Sequence, residues 1–338
     1  MKKSGKRIVV NISIVIAGIF LIIAILEIML RVFPDKYTHI NNPYRYTKFL
    51  GEFKYGVPFH SYCEIYPVDR DNRKYYKKGS GIIKYNFNQF GARWIKPQNQ
   101  EIRGDKKIFV IGDSFTLGFG LRYEDTYIYK TQALLREDGL KYDFINFSFP
   151  AADSRACLEN YIKKRGMIRH NMLLYGMHLN DLLKFPTSYV ICDIHGYETR
   201  IRNKSKLADF ILKRLEKEKS WRENIEKLLD PSMLNSDYFV QNMDAIKQMD
   251  RETKRLGVDF AVVILPILAD LREETFRPVY NRIKRLLDEY GIKYLDLTAS
   301  VAGYEDISLW ILPFDQHPNE IANSIFAQEL RNFFKKYK

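Results

Sequence analysis

Two stretches of the sequence combine residue types that can turn a serine into a nucleophile. Ser114 follows the three apolar residues, the glycine and the acid of "FVIGD", and His317 lies in "DQHPNE" with Asp315 two residues before it. A serine hydroxyl attacks a carbonyl only when a base takes its proton, and a carboxylate can orient that base through its second nitrogen. The pattern predicts acyl transfer with Ser114 as nucleophile, His317 as base and Asp315 as orienting acid.

Acyl transfer also needs hydrogen-bond donors for the oxygen that becomes negative. The backbone N–H groups at Ser114 and near Ala151, and the side-chain amide of Asn180, are the candidates, because each follows an apolar run. Each stretch also has an ordinary structural interpretation when it is taken alone. Asn180 is typical of a turn, and "DQHPNE" is typical of a capped helix start.

The elements that must position these residues alternate along the chain from residue 105 onwards. Five apolar runs, "KKIFVIG", "YDFINFSF", "NMLLYGM", "VDFAVVILPI" and "IKYLDL", are separated by segments with helical spacing. Such a series is typical of a parallel sheet with helices on both faces, and ligands bind beyond the carboxyl ends of its strands. We predict a three-layer α/β fold with five parallel strands in flavodoxin-like order, and with Ser114, Ala151, Asn180 and His317 at one carboxyl edge.

The N-terminus has the pattern of a membrane anchor. Four basic residues within the first seven precede an uncharged run of 19 residues, Ile8 to Leu26, and about 20 helical residues span a bilayer. A cleaved signal peptide is the alternative, but no small-x-small cleavage site follows the run. We predict a cytoplasmic tail and single-pass anchor over 1–33, with a β-rich segment (34–104) and a catalytic domain (105–338) outside the membrane.

Composition limits the partners. The net charge of +13 fits a Lys-rich soluble surface or attraction to anionic envelope polymers and lipid head groups. No basic and aromatic motif of a nucleic-acid reader is present, so nucleic acid is not expected as a partner. The three cysteines, Cys63, Cys157 and Cys192, lack C-x-x-C and Cys/His spacing, so we expect no metal site, and their pairing is left open. No cofactor is expected.

Four separated motifs resemble, in order and approximate spacing, the four sequence blocks of the SGNH (GDSL-type) esterases and acyltransferases. They are "GDSF" at 112–115, "NFSFPA" at 146–151, "GMHLND" at 176–181 and "DQHPN" at 315–319. The upstream "NFNQFGAR" at 86–93 is similar to a segment of membrane-anchored bacterial members. The resemblance implies the SGNH fold, with Ser114 as nucleophile, His317 as base, and Ser114 N–H, Ala151 N–H and Asn180 as oxyanion donors.

Two residues depart from that family pattern. Ala151 replaces a family glycine; it keeps the N–H, but we expect its methyl group to require an ordinary φ. The family acid commonly lies three residues before the histidine, where this chain has Phe314 rather than Asp315. The resemblance implies an ester hydrolase acting on acyl esters of an envelope glycan or lipid. The alternatives are an O-acyltransferase that modifies an envelope polysaccharide and an inactive relative that serves as a binding subunit.

Overall fold

The computed structural model describes residues 2–32, 44–50, 62–67, 83–95, 101–183, 205, 207, 211, 229–272, 274–312 and 315–337. The chain divides into two compact units. One comprises Met1–Pro43 and Pro186–Glu226, and the other comprises Tyr44–Phe185 and Lys227–Lys338.

The first unit contains the helix α1 (Lys2–Val32). Large apolar side chains along α1 are exposed, among them Ile14 and Phe20. A carboxylate oxygen of Glu27 accepts hydrogen bonds from Ser205 Oγ at 2.8 Å and from Leu207 N at 2.9 Å. In the residues that the structure describes, no helix is both long enough and apolar enough to cross a membrane.

The second unit is built on a nine-stranded sheet, in the order β1-β2-β3-β4-β6-β5-β7-β8-β9. The strands are β1 (Tyr44–Leu50), β2 (Tyr62–Pro67), β3 (Ile83–Phe87), β4 (Arg93–Trp94), β5 (Lys106–Gly112), β6 (Tyr142–Asn146), β7 (Met172–Met177), β8 (Asp259–Ile264) and β9 (Lys293–Asp296).

Five of these strands form a parallel core. The order β6-β5-β7-β8-β9 is the flavodoxin-like order that the sequence predicts. The sheet is larger than predicted, because β1 to β4 pair antiparallel and extend it beyond β6.

Six helices of this unit surround or flank the sheet within the described residues. They are α2 (Ser114–Leu117), α3 (Tyr127–Glu137), α4 (Ser154–Lys164), α5 (Asp237–Leu256), α6 (Arg277–Glu289) and α7 (Glu320–Lys336). A separate antiparallel ribbon of β10 (Trp310–Leu312) and β11 (Asp315–Pro318) precedes α7.

The central strand β5 is buried on both faces, which explains its unbroken apolar run. Successive side chains of a strand point to opposite faces. Ile108 and Val110 belong to the core that α3 and α7 cover, whereas Phe109 stacks on Phe147 and contacts Tyr161 of α4. Burial of each such side chain contributes about 1.5–3 kcal/mol. The carboxyl end of β5 is therefore a rigid platform for the residues that follow it.

Candidate active site

Ser114 is the first residue of the one-turn helix α2, directly after β5. The Asp113 carboxylate caps this helix by accepting a hydrogen bond from Phe115 N at 2.8 Å. Gly118 ends the helix in the left-handed conformation, with φ of 79°. The strand-to-helix turn leaves Ser114 partly buried at the carboxyl edge of the sheet.

Glycines at the ends of two neighbouring strands let α2 pack closely on the sheet. A Cβ added at Gly112 would lie 2.5 Å from Thr116 Oγ1, and one at Gly176 would lie 2.1 Å from the same atom. Thr116 Oγ1 also contacts Tyr127 OH at 3.1 Å. The glycines of the first and third sequence blocks therefore provide space for Thr116, which fixes the turn that carries Ser114.

His317 is in contact with Ser114. Its Nε2 lies 2.9 Å from Ser114 Oγ, within hydrogen-bond range for a base and a nucleophile. The histidine lies on β11, one residue before the strand ends. The Phe115 and Phe119 rings lie beside the imidazole, with centroid distances of 5.1 and 4.9 Å. Apolar rings at this distance restrict the movement of the imidazole and partly exclude water from it.

Two asparagines fix the chain that follows His317. Asn319 caps α7, and its side chain accepts a hydrogen bond from Ile321 N at 2.9 Å. Asn323 Nδ2 donates to Pro318 O at 3.0 Å, and Asn323 Oδ1 accepts from Tyr127 N at 2.8 Å. These bonds tie the end of β11 to the starts of α3 and α7, so the base is held at a fixed position relative to the sheet.

The side chain of Asp315 lies outside the described part of the structure. Its backbone belongs to β11 and pairs with Leu312. The orienting role predicted for the Asp315 carboxylate therefore stays a prediction.

Ala151 lies in the turn after β6, and its φ is 57°. The expectation that this alanine requires an ordinary φ is wrong. The loop is held to β5 by Phe147 N, which donates to Val110 O at 2.8 Å, and by Phe149 N, which donates to Gly112 O at 3.1 Å. These bonds offset the cost of about 1–2 kcal/mol for a left-handed residue with a Cβ, and Ala151 is exposed.

Asn180 lies in a single 3-10 turn, Leu179–Asp181, after β7. Its side-chain oxygen is 2.8 Å from His178 Nδ1. Among the described residues, the Asn180 amide nitrogen and the backbone N–H groups of Ser114 and Ala151 make no hydrogen bond to the protein. Within the part of the chain that the structure describes, the three donors that the sequence predicts for an oxyanion hole are thus left without a protein acceptor.

A polar cluster is buried beneath the site. An Asp181 carboxyl oxygen accepts hydrogen bonds from Tyr175 OH at 2.8 Å and from His178 N at 3.1 Å. Burial raises the pKa of Asp181 well above its usual range, and the nearby Asp113 carboxylate raises it further. Burial lowers the pKa of His178, so its neutral form is favoured. The bonds from Tyr175 and His178 therefore tie the loop after β7 to that strand.

Arg93 is a supporting residue that sequence reasoning missed. It is the last residue of "NFNQFGAR", a stretch that resembles a family segment but for which the sequence predicts no role. Arg93 is 1% exposed, and its guanidinium donates to the backbone oxygens of Leu117, Gly118 and Leu121, the second at 2.8 Å. It also lies 4.2 Å from the centre of the Tyr85 ring. The β3–β4 hairpin thus fixes the loop that follows α2.

A cavity of about 470 Å³ lies away from this site. The residues that line it include Lys106, Tyr142, Met172 and Asp259. These four residues begin β5, β6, β7 and β8, so the cavity lies at the amino end of the parallel strands. Ser114 and His317 lie at the opposite end. Within the described residues, no group of three His, Cys, Asp or Glu side chains can hold a metal ion.

Comparison with known proteins gives similarity to solved structures only. No family model matches the sequence, and no curated protein matches it. A lipolytic protein of the G-D-S-L family from Desulfitobacterium hafniense DCB-2 is 12% identical, with a TM-score of 0.42 over 68% of this chain and 99% of that chain. The psychrotrophic esterase EstA from Pseudoalteromonas sp. is 14% identical, with a TM-score of 0.42 over 69% and 98%.

A catalytic mutant of Axe2, an acetylxylan esterase from Geobacillus stearothermophilus, is 14% identical, with a TM-score of 0.44 over 69% of this chain and 95% of that chain. These three proteins are thus a lipolytic protein of the G-D-S-L family and two esterases.

Proposed function

We propose that this chain is a serine ester hydrolase with Ser114 as nucleophile and His317 as general base. The contact of 2.9 Å between Ser114 Oγ and His317 Nε2 carries the proposal. It lies at the carboxyl edge of a parallel sheet, where such folds bind ligands. The backbone N–H groups of Ser114 and Ala151 and the side-chain amide of Asn180 follow the carboxyl ends of β5, β6 and β7, and they are the donors that we propose for the oxyanion.

The proposed reaction has two steps. His317 Nε2 takes the Ser114 proton as Oγ bonds to the ester carbonyl carbon, and the carbonyl oxygen becomes an oxyanion that the N–H groups of Ser114 and Ala151 and the Asn180 amide stabilise. The intermediate collapses, and the alcohol leaves with the proton from His317. Water then attacks the acyl-serine with His317 again as base, which releases the carboxylic acid and restores Ser114. We propose that Asp315 orients His317 through both steps.

We further propose that the uncharged run of the sequence from Ile8 to Leu26 anchors the chain in the cell membrane, with the N-terminus in the cytoplasm and the catalytic unit outside. The uncharged run from Ile8 to Leu26, the basic residues before it and the exposed apolar side chains of α1 support this proposal. The substrate class follows from that location. We propose an acyl ester of a cell-envelope glycan or lipid, and the net charge of +13 favours anionic envelope polymers.

Hydrolysis of a short-chain aryl ester by the full-length protein in detergent tests the catalytic proposal. We expect turnover in the wild type and a loss of at least ~10³-fold in Ser114→Ala and in His317→Ala. Ser148→Ala is a matched control, because Ser148 is buried in the neighbouring loop and its hydroxyl has no hydrogen-bond partner in the described structure. Wild-type turnover in Ser114→Ala would contradict the proposal.

The same assay separates hydrolysis from transfer. An O-acyltransferase shares the first half-reaction and differs in passing the acyl group to a sugar hydroxyl rather than to water. With a glycan acceptor present, a hydrolase releases the free acid in proportion to the alcohol. An acylated glycan formed at the expense of the acid would instead favour the transferase.

A further inference from the structure

His178 lies between the proposed oxyanion donor Asn180 and the helix that carries the nucleophile. The imidazole is 6% exposed. Its Nδ1 is 2.8 Å from Asn180 Oδ1, and its ring stacks on Phe115 with a centroid distance of 3.9 Å and an interplanar angle of 22°. The same Phe115 ring contacts His317. The imidazole therefore cannot rotate or withdraw without disturbing the packing around the catalytic base.

The contact between His178 and Asn180 defines which nitrogen carries the proton. An amide oxygen only accepts hydrogen bonds, so Nδ1 must be the donor. A neutral imidazole has one N–H, which leaves Nε2 unprotonated. Nε2 is buried and has no hydrogen-bond partner among the described residues, which fits an unprotonated nitrogen better than a buried N–H. Burial also lowers the pKa of His178 and favours this neutral form.

The two ends of an asparagine amide have opposite roles, because its oxygen accepts hydrogen bonds and its nitrogen donates them. With its oxygen bonded to His178, Asn180 has both hydrogens of Nδ2 left to donate. The reversed amide would present its oxygen to the developing oxyanion, and two partial negative charges would repel each other. The orientation of this one side chain therefore decides whether it stabilises or opposes the transition state.

We propose that His178 is a positioning residue: its Nδ1–H fixes the Asn180 amide so that Nδ2 donates to the oxyanion formed at Ser114. This inference rests on the proposed ester hydrolysis and assigns a role to a histidine that lies inside the third sequence block, 176–181. His178 touches neither the substrate nor the reacting atoms in this account. It acts only through Asn180.

A double-mutant cycle on ester hydrolysis tests this role. His178→Phe keeps a ring on Phe115 and removes the donor. We expect it to lower kcat about 10- to 100-fold with little change in KM, and Asn180→Ala to lower kcat by roughly 10²-fold or more, as expected for one oxyanion donor. In the Asn180→Ala background, His178→Phe should cost less than about threefold, because its only route of action is already gone. Equal losses in both backgrounds, or no loss in either, would overturn the inference.

Matched variants separate positioning from general damage. His178→Asn provides an amide nitrogen near the position of Nδ1 and should recover most of kcat. His170→Phe replaces another buried histidine, bonded to Tyr161 OH at 3.0 Å and Ile168 O at 2.9 Å, and should leave kcat unchanged. Thermal unfolding checks that each variant is folded; should His178→Phe not fold, His178→Leu and His178→Gln take its place in the cycle.

Failure of this inference is distinguishable from failure of the proposed function. An active wild type and an inactive Ser114→Ala, together with additive His178 and Asn180 effects, would remove only the positioning role. A wild type that is no more active than Ser114→Ala would remove the proposed function itself.

Discussion

At the scale of single residues, Ala151 adopts a backbone conformation that its side chain disfavours. We expect Ala151→Gly to leave the free energy of unfolding unchanged or to raise it by up to about 1 kcal/mol, because glycine removes the left-handed cost but adds chain entropy to the unfolded state. Ala156→Gly, within α4, should lower it by about 0.5–1 kcal/mol. Urea unfolding compares the two, and equal losses would contradict the account of this turn.

Asp181 makes the stability of the protein depend on pH. Its pKa is raised in the folded state, so the protonated carboxyl group favours folding. This contribution to the free energy of unfolding is complete below the unfolded pKa of about 4 and is lost as the pH rises through the folded pKa. Asparagine cannot ionise, and its oxygen can accept the bonds from Tyr175 and His178. We therefore expect Asp181→Asn to become more stable relative to the wild type as the pH rises from about 4 towards the raised folded pKa of Asp181.

Urea midpoints measured across that pH range check the effect. Asp105→Asn, at an exposed position, is the control and should show no comparable trend. A difference between Asp181→Asn and the wild type that is constant with pH would show that Asp181 ionises in the folded state as it does in the unfolded chain.

Residue types and spacing alone indicate part of the site. The serine, the histidine and the asparagine can be identified in this way because their chemistry and their blocks are local features of the sequence. The φ of Ala151 cannot, because it belongs to a turn whose preceding residues are held by hydrogen bonds to the neighbouring strand β5. The role of His178 cannot be predicted from the sequence either, because it depends on the orientation of the Asn180 amide and on the Phe115 ring of α2.

At the scale of elements, the β3–β4 hairpin supports the loop that follows the nucleophile. Arg93→Lys replaces a planar group that reaches three carbonyl oxygens with one ammonium. We expect the free energy of unfolding to fall by about 2–4 kcal/mol, because buried carbonyls that lose a donor cost about 1–3 kcal/mol each. We also expect kcat to fall, since Phe119 of this loop contacts His317. Urea unfolding and ester kinetics measure the two effects.

Arg103→Lys is the control for this change. Arg103 is exposed and pairs with Glu101 on the surface, so its replacement should alter neither quantity measurably. An Arg93→Lys variant as stable and as active as Arg103→Lys would show that the hairpin does not hold the loop.

Local patterns predict the elements that have long, regular signals. The alternation of apolar runs and helices predicts five parallel strands, and the resemblance to the SGNH blocks implies their flavodoxin-like order. The hairpin is harder to predict, since β4 has two residues and one of its partners, β6, is distant in sequence. The short strand that carries His317 is hard to predict as well, because the β10–β11 ribbon has no clear pattern in the sequence.

At the scale of the whole molecule, the charge and apolar pattern of the N-terminus predict where the protein resides. We expect the full-length chain to stay in the membrane fraction after alkaline carbonate washing and a chain lacking 1–33 to be released, because the uncharged run is removed with the basic residues. Protease added to intact spheroplasts should digest the catalytic unit and spare a tag placed before Lys2. Release of the full-length chain by carbonate would contradict the anchor.

The central claim is that Ser114 is a nucleophile activated by His317, and covalent labelling tests it most directly. A fluorophosphonate reacts with an activated serine and leaves a stable adduct that peptide mass spectrometry can locate. The account predicts one adduct on the peptide that contains Ser114 in the wild type, none on it in Ser114→Ala, and much slower labelling in His317→Ala. Labelling at another residue, or equal labelling in Ser114→Ala and the wild type, would contradict it.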